Sequence, residues 1–266
     1  MRTIAIINAK GGVQFELRYE DDQNDPEKAV NAYNTLKDWG MQRVLVIDLD
    51  PQLNTSRQMG VYTPGGLCVA HLLVDKTLEA RSVIKHSPVY EGVDVIPCDK
   101  ALEAANMQVL METSTMQQLR LKRSLKPIQA DYDYCILDCP TAIRNISTIN
   151  GLALTQDVLV PVTADSYSLD GVMDIVSVVE DVQDYNDGIR LTGIFLTKYE
   201  KIKACRETLE HLQSALPGLV MDTYIRKSAT ISASTFAEQP LLDYAGKSSA
   251  ADDYRSLVRE YLERRD

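Results

Sequence analysis

The chain is poor in several features, and each shortage excludes a class of function. Its five cysteines (Cys68, Cys98, Cys135, Cys139, Cys205) form no CxxC pair, and its three histidines (His71, His86, His211) lie far apart. That spacing rules against a zinc module and a disulfide scaffold. Cys135 and Cys139 flank an apolar run ending at Asp138 and read as ordinary thiols. One tryptophan, Trp39, and three phenylalanines offer no stacking platform for single-stranded nucleic acid. There is no G-x-S-x-G elbow and no G-x-G-x-x-G after the first strand-like run, which disfavours a serine hydrolase and a dinucleotide dehydrogenase. No 18-residue apolar run occurs, so a membrane span is not expected. Residues 1–13 carry no apolar signal core, and a cytosolic location is expected. Positive charge is in deficit: Lys plus Arg is 28 against 38 Asp plus Glu, a net −10 over 266 residues. A uniformly basic nucleic-acid surface is thereby excluded, though a local basic patch is not.

What remains is a recurrence of short β-branched runs alternating with helical patterns. The runs are Thr3–Asn8, Arg43–Asp48, Val93–Pro97, Tyr134–Asp138, Val158–Val162, Leu191–Thr197 and Val220–Ile225. They are nearly continuous rather than alternating, as expected of strands buried on both faces of a parallel sheet. One crossover helix is predicted from Asp25-Pro26 to Gly40, another over Gly171–Asp184. A last helix over Ala250–Arg265 is expected to bury Tyr254, Leu257, Val258, Tyr261 and Leu262, and its mixed polar face does not suit a membrane surface. With no repeat or long linker, the chain reads as one doubly wound α/β domain over 1–266, its mostly parallel sheet flanked by helices. Functional groups in such sheets gather at the carboxyl ends of the strands.

Three signatures fall at such ends. Lys10-Gly11-Gly12-Val13 follows the first run, Asp48-Leu49-Asp50-Pro51-Gln52 the second, and Asp138-Cys139-Pro140 closes Tyr134–Asp138. A glycine pair after a strand lets backbone amides turn toward an anion. Carboxylates on neighbouring strand ends can hold a hydrated magnesium and orient a water for attack on a phosphate.

With these residues in place the chain resembles the ParA/Soj/MinD family of deviant Walker-motif ATPases, nearest its partition branch. The matching stretches are IAIINAKGGV (4–13), RVLVIDLDPQLNTS (43–56), YDYCILDCPTAIRNISTINGLAL (132–154), DVLVPVTADSYSLDGV (157–172), LTGIFLTKYE (191–200) and EQPLLDY (238–244). Together they frame about nine-tenths of the chain. The resemblance implies a P-loop NTPase-like fold of the SIMIBI type and a homodimer switched by ATP and ADP with Mg2+. It further implies DNA binding without sequence preference, resetting by a ParB-like or other cargo-adaptor protein, a cytoplasmic or nucleoid-associated location and no membrane partner. By the same resemblance Lys10 falls on the signature lysine that reaches the partner's phosphates, and Gly11, Gly12 and Val13 on the phosphate loop. Asp50 falls on the residue that activates water, and Asp48 and Asp138 on the acids around magnesium.

The chain departs from the family after Val13. A glycine, a lysine and threonines are expected there, whereas residues 14–25 carry Glu16, Glu20, Asp21, Asp22 and Asp25 against Arg18 alone. The P-loop lysine and hydroxyl, which neutralise phosphates and bind magnesium, are missing. A net −4 loop repels a triphosphate by about 1 kcal/mol per close pair in water. Lys28 is the nearest substitute. Three readings stay open: a working ATPase using Lys10 with Arg18 or Lys28; a nucleotide-binding-deficient scaffold of the same fold; and an engineered or aberrant replacement of residues 14–25 in a protein whose native form has the full loop. For DNA, the basic runs are Arg120, Lys122, Arg123 and Lys126, then Lys198, Lys201, Lys203 and Arg206, with Lys227 beside Arg226. Phosphate contacts through them would make affinity fall steeply with salt.

Overall fold

The strands follow the apolar runs closely. The computed structural model describes residues 1–7, 43–113, 116–164, 168–237 and 239–264. Within these lie β1 (Arg2–Ile7), β2 (Val44–Asp48), β3 (Lys85–His86), β4 (Val93–Ile96), β5 (Tyr134–Cys139), β6 (Asp157–Val162) and β7 (Arg190–Leu196). They form one sheet in the order β3-β4-β2-β5-β1-β6-β7, all parallel except the two-residue edge strand β3. The chain enters at β1, builds outward through β2 and β4, returns to insert β5 between β2 and β1, and continues to β6 and β7 on the other side. The carboxyl ends of β1, β2 and β5 therefore lie side by side where the winding reverses, the place where open α/β sheets carry their sites.

The helices between them are α1 (Asn54–Gln58), α2 (Val69–Val74), α3 (Ala80–Val83), α4 (Ala101–Met111), α5 (Arg120–Leu125) and α6 (Ile146–Leu152). They continue with α7 (Ser168–Gln183), α8 (Lys203–Ala215), α9 (Ala229–Phe236), α10 (Leu241–Ala245) and α11 (Ser249–Arg264). Alternate residues of one strand enter opposite layers. Ala5, Ile7, Leu45 and Ile47 pack with α2, α4 and α7, while Ile4, Ile6, Val44 and Val46 pack with Met59 and α11. Burial on both faces is why the runs are continuously apolar. The helices expected over 171–184 and 250–265 form as α7 and α11, and all five apolar residues named for the latter are buried. One close approach needs glycine. A Cβ on Gly151 of α6 would come within 2.7 Å of Leu49 Cδ1, the residue between Asp48 and Asp50.

Two expectations need adjustment. Val220–Ile225 is no continuous strand: it meets β7 near its two ends, where the Met221 amide donates to the Ile194 carbonyl at 2.7 Å and the Ile225 amide to the Leu196 carbonyl at 2.8 Å, and pairs with it only as an isolated bridge, Ile194 to Val220. Between them the amides of Asp222 and Thr223 turn to the Glu260 carboxylate of α11, both at 2.8 Å, instead of to β7. The crossover helix expected before Gly40 lies outside the described residues, as do Lys10, Gly11, Gly12, Val13 and the acidic segment 14–25. Among the described residues no helix is long and apolar enough to cross a membrane.

Candidate functional site

Asp48 and Asp138 are register partners on the adjacent parallel strands β2 and β5. Each side chain is held by one of two consecutive hydroxyls at the start of α1. Ser56 Oγ donates to Asp48 Oδ2 at 2.6 Å, and Thr55 Oγ1 donates to Asp138 Oδ2 at 2.6 Å. Asp48 Oδ2 also accepts the Ser56 amide at 2.9 Å, and its Oδ1 accepts the Asp50 amide at 3.0 Å. Asp48 is wholly buried, and Asp138 is half-buried. Burial pushes the Asp48 carboxyl up to about 6, against the pull of the Ser56 hydroxyl and the Asp50 and Ser56 amides.

The loop from β2 to α1 is built by its own polar groups. Asp50 Oδ1 accepts the Gln52 amide at 3.0 Å, and the Asp50 carbonyl accepts the Leu53 amide at 3.0 Å. Asp50 is mostly buried, which raises its carboxyl above the ordinary range against the Gln52 amide. Leu53 then turns at φ 66°, a left-handed conformation that suits glycine, while its side chain is buried. Strain of this kind persists where the surroundings over-determine it, commonly at functional loops. Ser56 is tied a third way, because its Oγ accepts the Cys98 amide at 2.8 Å from beyond β4. Sequence reasoning did not single out Thr55 and Ser56, although both stand in the matched stretch 43–56. The two hydroxyls following the acids by a short turn were the available signal.

Among the described residues no three His, Cys, Asp or Glu side chains converge into a metal cage. The half-buried Asp138 carboxylate, oriented by the Thr55 hydroxyl, with Asp48 and Asp50 close behind it, instead suits magnesium, which keeps several waters and is commonly held by one or two carboxylates and substrate phosphates. On the metal side, then, the donor chemistry fits.

The basic residues separate. Arg120 is 5% exposed: its Nη1 donates to the Leu73 carbonyl at 2.8 Å and its Nη2 to Glu112 at 2.6 Å, which pins α5 to α2 and to the end of α4. It cannot face DNA, and the first basic run is not one surface. A run of charges in sequence does not resolve which turn of a helix points inward. Lys122 is half-buried and Arg123 exposed on the same helix. Lys198, Lys201, Lys203 and Arg206 are all exposed after β7. Lys227 joins them, its amide donating to the Tyr199 carbonyl at 3.0 Å and its Nζ to Glu200 at 3.0 Å.

A mostly parallel sheet with paired acids at the reversal of its winding makes this a doubly wound α/β protein, and its likeness to the solved structures below makes it P-loop NTPase-like. The family described as AAA domain matches residues 1–191. The sporulation initiation inhibitor protein Soj of Bacillus subtilis is 30% identical over 262 residues, covering 97% of this chain and 97% of Soj. The chromosome-partitioning ATPase Soj of Treponema pallidum is 28% identical over 267 residues, covering 99% and 98%. Among solved structures, cobyrinic acid a,c-diamide synthase from Mycobacterium smegmatis, with bound ATP analog and magnesium, is similar at TM-score 0.77 and 26% identity, covering 98% of this chain and 94% of that one. The chain belongs to the ParA/Soj/MinD family.

Proposed function

We propose that this chain is a Soj/ParA-like partition ATPase, cytoplasmic and nucleoid-associated, whose nucleotide-bound homodimer binds DNA without sequence preference and is reset by a ParB-like adaptor. The observation that carries the reading is the pair Asp48 and Asp138, each tethered by a hydroxyl of α1, with Asp50 beside them. The name of the Treponema pallidum relative, a chromosome-partitioning ATPase, supports partition, and the ATP analog and magnesium in the mycobacterial structure support the cofactors.

In this reading Asp138, the more exposed acid, faces the cation. Asp48 has three donors on its two oxygens and fixes the loop that carries Asp50. Asp50 orients the attacking water, and Lys10 with the amides of Gly11, Gly12 and Val13 meets the phosphates. Magnesium, when bound, supplies charge neutralisation at the phosphate oxygens. The exposed Lys198, Lys201 and Lys203 with Lys227 supply a local DNA patch on an acidic protein, and Arg123 and Lys122 of α5 offer further phosphate contacts.

The second reading, a nucleotide-binding-deficient scaffold, is favoured by one observation: five acids against Arg18 in residues 14–25, where the family's lysine and threonine are expected. Phosphate release with magnesium and ATP, with and without DNA, separates the two. The first reading expects turnover that Asp50→Ala abolishes while nucleotide binding survives; the second expects neither turnover nor binding.

A further inference from the structure

Two buried thiols that the proposed chemistry leaves unused lie next to the site. Cys68 and Cys98 are each 1% exposed. The Val69 amide donates to the Pro97 carbonyl at 2.9 Å, so the two cysteines flank one backbone hydrogen bond. Cys68 precedes the donor of that bond and Cys98 follows its acceptor, and a disulfide between them needs Cα atoms roughly 4.4–6.8 Å apart. His71 completes the group. Its Nδ1 accepts the Cys68 amide at 3.2 Å, so Nδ1 carries a lone pair and not the proton. The Cys68 Sγ lies 3.4 Å from that same nitrogen. The result is a thiol beside an imidazole base with a second thiol across one hydrogen bond. The residues before Cys68, Thr63, Pro64, Gly65 and Leu67, are exposed, and the chain turns there at Gly65 (φ +68°). Burial raises the Cys68 thiol above its ordinary range, while the Ala70 and His71 amides favour the thiolate.

We propose that Cys68 and Cys98 are a redox pair, oxidised to a disulfide by a hydroperoxide with His71 as the base. The Cys68 thiol proton passes to His71 Nδ1, which gives up the hydrogen bond from the Cys68 amide as it is protonated. The sulfur attacks one peroxide oxygen, the O–O bond breaks, and the departing hydroxide takes the proton back from His71 Nδ1 and leaves as water, giving a sulfenic acid. The Cys98 sulfur then attacks the Cys68 sulfur, the S–O bond breaks, and the hydroxide leaves as water with the Cys98 proton. Two thiols and one hydrogen peroxide give one disulfide and two waters.

The pair is wired to the candidate site. The Cys98 amide holds Ser56 Oγ, and Ser56 Oγ holds Asp48. Closing the disulfide moves Cys98 and disturbs that chain, so the redox state is felt at the loop carrying Asp50. This last consequence rests on the proposed function; the disulfide itself does not.

The test uses the intact reduced chain, graded hydrogen peroxide, alkylation of remaining thiols and mass spectrometry of a non-reducing digest. The expected product has lost two hydrogens, carries a Cys68–Cys98 cross-linked peptide, and returns to the thiols with dithiothreitol. Cys98→Ala abolishes the cross-link, and His71→Gln slows its formation at least about tenfold. Should a variant fold poorly, His71→Asn gives a second removal of the base, with circular dichroism as the check. A chain whose Cys68 and Cys98 stay reduced until urea unfolds it, a cross-link elsewhere, or an unchanged rate in both His71 variants would overturn the proposal. The mass readout needs no nucleotide, so its failure is distinct from failure of the ATPase reading.

Discussion

Thr55 of α1 reaches across to the end of β5 and donates its hydroxyl to Asp138 Oδ2 at 2.6 Å. Its neighbour Ser56 does the same for Asp48, so a single short helix sets the orientation of both strand-end acids. Outer groups of this kind tune metal affinity by about 10–100-fold. Thr55→Val is therefore expected to raise the magnesium concentration needed for half-maximal nucleotide binding about tenfold, with Thr55→Ser near the parent. Equal magnesium requirements in Thr55→Val and the parent would remove the tether from the account.

Leu53 offers a test of stored strain. Gly usually destabilises relative to Ala by about 0.5–1 kcal/mol, but a left-handed residue reverses the order. Both Leu53→Ala and Leu53→Gly lose a buried side chain and fall by a few kcal/mol. Leu53→Gly is expected to be the more stable of the two by about 1 kcal/mol in urea unfolding. The ordinary order, alanine above glycine, would mean that the turn carries no strain.

How much of this was legible in the sequence depends on whether one element decides the outcome. Six strands were readable because a run such as Val44-Leu45-Val46-Ile47 is apolar on both faces, and the sheet buries both. The acids Asp48, Asp50 and Asp138 were readable because a strand end fixes where they sit. The edge strand β3, Lys85–His86, was not readable: it is two exposed residues long and exists only through pairing with β4. Val220–Ile225 has strand composition but is diverted by Glu260, which is remote in sequence. Arg120 looked like the start of a basic surface because Glu112 and the Leu73 carbonyl, its actual partners, are brought in by the fold.

Asp157 predicts an acid-sensitive stability. Its buried carboxylate accepts from Arg2 Nη2 at 3.1 Å, Arg190 Nε at 3.1 Å, Thr192 Oγ1 at 2.9 Å and Tyr261 Oη at 3.0 Å, tying β1, β6, β7 and α11 together. Burial works against its charge, yet the bonds from Arg2, Thr192 and Tyr261 outweigh that cost and hold the carboxyl below the ordinary range. A depressed folded value means the stabilisation is complete above the unfolded value of about 3.9 and is lost as pH falls through the folded one. Asp157→Asn should cost about 3 kcal/mol at pH 7, and the gap to the parent should shrink toward pH 2–3 in thermal melts. A gap independent of pH would contradict the assignment.

The basic residues should divide by role. Lys227→Ala is expected to weaken binding to any duplex and to lower the slope of log affinity against log salt by about 1. Arg120→Ala should leave that slope unchanged and instead destabilise the fold by about 2–4 kcal/mol, because the Leu73 carbonyl loses the Arg120 donor and Glu112 is left with Lys76. DNA titrations at several salt concentrations, beside urea unfolding, read both effects.

The central claim is a nucleotide switch, and the direct measurement is equilibrium binding of ATP with magnesium to the intact chain. It is best made beside a version in which Gln14–Lys28 is replaced by Gly-Lys-Thr-Thr-Thr. The account predicts saturable binding by both chains, lost from each with Lys10→Ala. Binding by the repaired chain alone would contradict it and leave a switch-dead relative whose work is done by its protein and DNA contacts.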